Sequence, residues 1–287
     1  MNIIILGHTG FIGRNIYQHL SSTRENNLIC ISTNEIDLTE GKSYQKLQKV
    51  LSPDSFVIMC VGVKKQLGDN LKSFEKNITI VNNFIRAVSK AHPKKIIYFS
   101  SASVYGEDVN YHGKISEESP VHPTSYYGIS KYTAERLLKN NCADTQTQLV
   151  ILRPPLIYGS EDLSRGYGPT GFTYKAANSE EIVLWGDGNE FREFIYVDDV
   201  GRLISRLINC NYCGVLNLVS GKSYTYLEII NSLNEIVNSN IKVVSRQRTK
   251  EKVDHRFSNK LILNVLGDFE FTNLTEGVGK THTAIIN

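Results

Sequence analysis

Five short apolar runs, at 3–6, 28–32, 55–61, 96–100 and 149–153, alternate with stretches of helical periodicity at 11–20, 43–51, 77–91 and 126–140. Runs that are apolar throughout, rather than at every second position, suit strands buried on both faces. In this β-α-β-α order they predict an α/β fold: a doubly wound parallel sheet with helices on both sides. After Pro154-Pro155 the pattern becomes irregular and glycine-rich, and order resumes at 191–197, in the helix-like stretch after Asp198, at 215–219 and at 226–237. The expected organisation is a nucleotide-binding-type domain over 1–155, to which segments near 191–220 return, and a smaller C-terminal lobe formed mainly by 156–287.

The first strand runs into Gly7-His8-Thr9-Gly10-Phe11-Ile12-Gly13, which opens the first helix. Glycines between a strand and a helix are the context of a phosphate cradle. Gly7 permits the tight turn, Gly10 lets backbone amides approach a pyrophosphate, and Gly13 allows close helix–sheet packing. The helix N-terminus, with free N–H groups and a favourable dipole, would hold the anion. The second strand ends Ile31-Ser32-Thr33-Asn34 without a carboxylate at its tip, and Arg14 follows the glycines. Both features favour a 2′-phosphate, and so NADP(H) over NAD(H). Against them stand the nearby Glu35 and a solvent-facing role for Arg14. Asp37 and Leu38 are candidates to meet the adenine, although Asp37 could equally cap a helix.

Tyr127 and Lys131 lie four residues apart on a predicted helix and so share a face. An ammonium beside a phenol favours the phenolate, and Lys131 is therefore expected to lower the Tyr127 pKa and make it a usable proton donor or acceptor. Ser-Ser-Ala-Ser at 100–103 precedes this pair at a strand end, with Ser101 lying 26 residues before Tyr127. The glycine loop, the serine segment and the Tyr-Lys pair together indicate an oxidoreductase.

Composition removes several other classes. The 32 basic and 29 acidic residues are mixed along the chain, so no run of Lys or Arg offers a nucleic-acid or membrane footprint. No apolar stretch approaches the roughly 20 residues of a membrane helix, and the apolar N-terminal run has no charged flank like that of a signal peptide. Five cysteines in no scaffold-like pattern suggest reduced thiols. Cys210-x2-Cys213 lacks a second ligand pair, so no metal site is expected. Asp198 and Asp199 are read as helix caps. These features predict a cytoplasmic protein.

The chain resembles the extended short-chain dehydrogenase/reductases, in their NAD(P)-dependent nucleotide-sugar epimerase/dehydratase branch. The resemblance rests on the glycine loop, Tyr98-Phe-Ser-Ser-Ala-Ser-Val-Tyr-Gly106, Tyr127-Gly-Ile-Ser-Lys131, Arg153-Pro154, Tyr158-Gly159, Gly186-Asp-Gly-Asn189, Arg192-Glu-Phe-Ile-Tyr-Val-Asp-Asp199, Leu266-Gly267 and Leu274-Thr-Glu-Gly277. It implies a Rossmann-type domain with a substrate-binding lobe. It makes Tyr127 the general acid/base, Lys131 the residue that holds the nicotinamide ribose, and Ser101 a donor to the reacting oxygen. For Ser101, a plain strand-end hydroxyl is the simpler alternative. Beside the cofactor it sets Thr9, Phe11 and Ile12 of the loop, then Cys60, Val61 and Gly62, with Asn77 at a helix start and Pro154 bordering the nicotinamide. Arg192 aligns with an arginine that contacts the substrate diphosphate, the alternative being an ion pair with Glu190 or Glu193. The helices near 77–91 and 126–140 resemble a dimer-forming pair, so a homodimer is expected.

Departures from the family pattern narrow the reaction. Ala102 and Ser103 occupy positions where a dehydratase needs an acid and a base and a decarboxylase needs a glutamate. A 3,5-epimerase/reductase would need a cysteine and a histidine where Ser103 and Glu161 stand. Ser103 is therefore assigned to substrate binding. What remains is hydride transfer with Tyr127 chemistry on a nucleotide-diphosphate sugar. Reduction of a nucleotide-linked 4-keto-6-deoxyhexose for surface-polysaccharide sugars is the preferred expectation. A 4-epimerase with tightly bound NAD is the alternative, and a non-catalytic NAD(P)-binding regulator the remote one.

Overall fold

In β1 (Asn2–Leu6), Ile3 and Ile5 point into one apolar core, while Ile4 and Leu6 point into another. Side chains of a strand alternate between faces, so an unbroken apolar run commits the sheet to cover on both sides. Each fully buried Ile or Leu contributes roughly 1.5–3 kcal/mol, which makes this two-sided cover the dominant constraint. The computed structural model describes residues 1–22, 27–237 and 241–287.

β1 leads into α1 (Phe11–Ser21), β2 (Asn27–Ile31), α2 (Ser43–Gln48), β3 (Ser55–Met59), α3 (Leu71–Ala91), β4 (Lys95–Phe99), α4 (Tyr126–Cys142) and β5 (Gln148–Arg153). Later in the chain, α6 (Val197–Asn209) and β9 (Gly214–Asn217) return to this sheet. Its six parallel strands run in the order β2-β1-β3-β4-β5-β9. Ile16 of α1 and Leu203 and Leu207 of α6 cover one face; Leu47 of α2, Phe84 of α3 and Leu138 of α4 cover the other. The chain order reverses between β1 and β3, and the carboxyl ends of strands at such a switch point are where open α/β sheets bind ligands.

The smaller lobe joins β6 (Leu156–Tyr158), β8 (Phe191–Tyr196) and β10 (Ser223–Thr225) in one sheet, and β7 (Ile182–Trp185) with β11 (Val243–Arg246) in another. Helices α5 (Pro169–Ala177), α7 (Tyr226–Val237) and α9 (Leu274–Ile286) pack there around Tyr158, Phe172, Phe194, Tyr226 and Val278. α8 (Lys260–Leu266) lies instead against the main sheet. The irregular glycine-rich stretch therefore contains β6, α5 and β7. Gly168, at φ +132°, turns the chain into Pro169 at the start of α5, and a proline at the first helical position is well tolerated.

Two helix starts differ from expectation. α3 begins at Leu71, with Asn70 as its cap accepting from Ser73 N at 3.1 Å. The charged Lys72, Glu75 and Lys76 hide the apolar stripe of its first turns. α6 begins at Val197, so Asp198 and Asp199 lie inside its first turn and neither caps it. Asp199 is fully buried and instead accepts from Thr272 N at 2.9 Å and Thr272 Oγ1 at 2.8 Å, and it pairs with Arg202. Asp198 accepts from Asn15 Nδ2 at 2.7 Å.

Candidate active site

A cleft of about 510 Å³ opens at the carboxyl ends of the central strands, between the sheet and the smaller lobe. Gly7 sits at φ +86°, which favours glycine, and its N–H donates to Ile31 O at 2.8 Å. A Cβ on Gly13 would lie 2.2 Å from Gly7 O, so only glycine lets α1 come this close to the loop. The N-terminus of α1 has no side-chain cap, and Gly10, Phe11, Ile12 and Gly13 all face the cleft. Uncapped amides and an unobstructed loop backbone fit a diphosphate.

Cys60, Gly62 and Pro154 also line the cleft. Gly62 lies beside Asn77 and Lys131, and a Cβ there would make only ordinary contacts, at 3.4 Å, with Asn77 Oδ1 and Lys131 Nζ. Thr9, Arg14, Asp37, Leu38, Val61 and Asn77 are not among the lining residues. Asp37 accepts from Thr39 N and Thr39 Oγ1, both at 2.8 Å, and so closes a local turn. Leu38 is buried in the sheet core, with its carbonyl accepting from Asn83. Val61 packs against Gly7. Asn77 is a buried mid-helix residue rather than a helix start. It clamps the chain beyond β3, accepting from Val63 N at 2.7 Å and donating to Val63 O at 3.2 Å. Thr9 O accepts from Arg14, and Arg14 pairs with Glu161 at 3.4 Å.

Ser101, Tyr127 and Lys131 converge on the floor of the cleft. Ser101 follows β4 and caps a short 3-10 turn over Ala102–Tyr105, accepting from Ser103 N at 3.1 Å. Ser125 caps α4 by accepting from Gly128 N at 3.0 Å. A Cβ on Gly128 would lie 2.6 Å from Ser103 O, so the glycine inside the Tyr-x3-Lys motif allows the serine turn to pack against the tyrosine helix. Lys131 Nζ donates to Phe99 O at 2.8 Å and lies 5.7 Å from the centre of the Tyr127 ring.

Burial dominates the electrostatics here. It lowers the Lys131 pKa to about 8, with Cys60 and Glu135 acting in the opposite sense. It raises Tyr127 to about 12, against a hydrogen bond with Ser101 that lowers it. The expected lowering of Tyr127 by Lys131 is thus not the controlling effect in the structure. The ammonium points at a backbone carbonyl, and desolvation of a phenolate outweighs the partner that remains. Beneath the three residues, fully buried Glu135 binds Arg153 through bonds of 2.9 and 2.6 Å and accepts from Ser100 Oγ at 2.5 Å.

At the other end of the cleft, Arg192 is both a lining residue and tied to the protein. It donates to Phe191 O at 2.9 Å and to Val253 O, and lies 3.8 Å from Glu190. Ser103 lines the cleft and donates to Glu107 Oε1 at 2.9 Å. Sequence reasoning missed Lys64, Lys65, Glu107, Tyr167, Glu193 and His255, which also line it. They come from loops and lobe segments whose approach no local periodicity signals.

Glu193 is 1 % exposed. Its Oε1 accepts from Gly221 N at 2.8 Å and Ser220 Oγ at 3.0 Å, and its Oε2 has no hydrogen-bond partner among the described residues. Burial raises its pKa from 4.5 to about 7. Between those values the folded state binds more protons than the unfolded one, so Glu193 makes stability fall as pH rises from about 4.5 to 7. Glu193→Gln should remove that slope, seen as a smaller pH dependence of the urea midpoint across this window. An unchanged slope would assign it to another group.

The family model described as the NAD dependent epimerase/dehydratase family matches residues 3–214. GDP-6-deoxy-D-talose 4-dehydrogenase of Aggregatibacter actinomycetemcomitans is 26% identical, over 96% of this chain and 94% of its own. Two solved structures superimpose with TM-scores of 0.87: UDP-N-acetylglucosamine 4-epimerase from Methanobrevibacter ruminantium in complex with UDP-N-acetylmuramic acid, and RMD from Pseudomonas aeruginosa complexed with NADPH. They are 23% and 20% identical, and the alignments cover 98% and 99% of this chain and 97% and 98% of theirs. With a parallel sheet, a glycine cradle and a Ser-Tyr-Lys floor already in place, the match over 3–214 means that this chain belongs to the NAD dependent epimerase/dehydratase family.

Proposed function

We propose that the protein is a nicotinamide-dependent reductase of a nucleotide-linked 4-keto-6-deoxyhexose, acting in the cytoplasm in the supply of surface-polysaccharide sugars. The observation that carries this reading is the cleft floor. Ser101, Tyr127 and Lys131 converge there, while Ala102 and Ser103 stand where elimination or decarboxylation would need a carboxylate. A reduced nicotinamide, when bound, supplies the hydride. Tyr127 donates its proton to the sugar oxygen, Ser101 donates a hydrogen bond to the same oxygen as charge develops, and Lys131 holds the ribose. Arg192 offers a guanidinium to the substrate diphosphate. A relative that is a 4-dehydrogenase of a 6-deoxyhexose supports chemistry at the same carbon.

For the cofactor, two observations support NAD(H) over the NADP(H) preferred from sequence. Glu35 folds back so that Oε2 accepts from Ser32 N at 2.7 Å and Ser32 Oγ at 2.5 Å, which brings a carboxylate to the end of β2. Hydrogen bonds from Ser32 also lower its pKa, and an ionised carboxylate there opposes a 2′-phosphate. Arg14, the second of the two grounds for NADP(H), is engaged with Glu161. The same feature keeps the 4-epimerase with bound NAD as a second reading. A homodimer through the outer faces of α3 and α4 belongs to this proposal, supported by Leu71, Tyr126 and Ile129, which remain 55, 44 and 41% exposed.

The deciding experiment follows reduced-nicotinamide absorbance with purified protein, NADH or NADPH, and a panel of nucleotide-linked 4-keto-6-deoxysugars. Stoichiometric consumption supports the reductase and identifies its substrate. Interconversion of hydroxyl epimers without net cofactor change replaces it with the epimerase.

A further inference from the structure

Tyr127 is the second residue of α4, directly before Gly128. The first amides of a helix have no partner within it, and a glycine at the third position loosens the same turn. The proposed proton donor therefore stands where a helix start frays unless outside groups hold it. Two side chains do so. Ser125 Oγ accepts from Gly128 N at 3.0 Å, and Asp69 Oδ1, from 58 residues earlier in the chain, accepts from Tyr127 N at 3.0 Å. A carboxylate at a helix start also meets the positive end of the dipole.

Asp69 belongs to a short segment that is held at both ends. Asn77 clamps Val63, and Asn70 caps α3. Between them Lys65–Leu67 form a 3-10 turn, and Lys65 pairs with Glu107, which accepts from Ser103 Oγ at 2.9 Å. One segment thus ties both walls of the cleft floor, Lys65 through Glu107 to the serine turn and Asp69 directly to the tyrosine helix. Asp69 is exposed and is not among the residues that line the cleft, so it can act on a bound sugar only through Tyr127.

We propose that Asp69 is a positioning residue for the reaction, holding the first turn of α4, and with it the Tyr127 hydroxyl, at the reacting oxygen of the sugar. The inference rests on the proposed role of Tyr127 in proton transfer. Without the carboxylate, the Tyr127 amide turns to water and the start of α4 opens part of the time. The hydroxyl then spends less time within reach of the sugar oxygen, and such a step is sensitive to displacements of about 1 Å.

The test is steady-state kinetics on the full chain, read by reduced-nicotinamide absorbance with a ketosugar substrate, beside amide hydrogen exchange of the segment 124–130. Asp69→Ala should lower kcat roughly tenfold, keep KM for ketosugar and cofactor within about twofold, and speed exchange at the Tyr127 amide. Asp69→Asn keeps an acceptor oxygen and should recover most of kcat. Asn70→Ala removes the neighbouring cap, which serves α3 instead, and should cost stability without lowering kcat. An unchanged kcat or unchanged exchange in Asp69→Ala, a loss as deep in Asp69→Asn, or an equal loss in Asn70→Ala would each overturn the positioning role. A wild-type protein that oxidises no cofactor with any ketosugar overturns the reductase reading instead. The three variants are then compared in the interconversion of hydroxyl epimers, where Tyr127 moves the same proton. There Asp69→Ala should again be the slow variant, and a wild-type rate would overturn the role of Asp69.

Discussion

Tyr127→Phe should lower ketosugar turnover by about 10²- to 10⁴-fold, the usual contribution of a positioned general acid, while cofactor binding remains intact. The phenyl ring can still line the cleft, and only the hydroxyl proposed to protonate the sugar oxygen is lost. kcat and kcat/KM should therefore fall together, the pattern of an interaction made in the transition state alone. Single-turnover absorbance and cofactor fluorescence titration measure the two halves of this prediction. A variant that turns over normally would move the proton transfer to another residue. A biological role unaffected by the substitution would favour a nicotinamide-binding regulator.

The second large effect is structural. Arg153→Met should destabilise the fold by about 3–5 kcal/mol, the usual cost of leaving one member of a buried ion pair uncompensated. Glu135 would keep its bond from Ser100 but lose both guanidinium contacts in a site with no solvent access. Arg153 also donates to Tyr105 Oη at 3.0 Å, and Tyr105 donates to Asn217 Oδ1 at 2.7 Å, so the network joins α4, β5, the 3-10 turn and β9. Urea unfolding of Arg153→Met, Glu135→Gln and the double variant measures the coupling. Coupling below about 0.5 kcal/mol, the error expected for independent sites, would show that the pair does not act as a unit. The network adjoins Ser101 and Pro154, so the floor of the cleft should loosen along with it.

The glycine loop, the serine strand end and the Tyr-Lys helix were readable because each depends on spacing within one element. Gly13 and Gly128 carry the same kind of information: each marks a place where two elements come closer than a Cβ permits. Reading fared worse where a residue's partner lies far along the chain. Asn77 looked like a helix start, yet it is a mid-helix clamp on the chain at 63. Asp199 looked like a cap and proved to be an anchor for the segment before α9. Arg14, read against an adenosine pocket, pairs with the distant Glu161, whereas Asp37 is engaged locally, by Thr39.

The sequence by itself determined the parallel sheet, its two covered faces and the glycine turn into α1, since apolar runs and glycine positions act through local geometry and burial. Only the tertiary structure decided how the floor residues are charged and what surrounds them. Local spacing put an ammonium beside the Tyr127 phenol, but packing turned that ammonium toward Phe99 O and buried the phenol, so desolvation raises the pKa that proximity alone would lower. Packing likewise brought Glu107 to Ser103 and Lys65 to Glu107, because loop contacts depend on where the sheet carries each loop and leave no periodic trace in the chain.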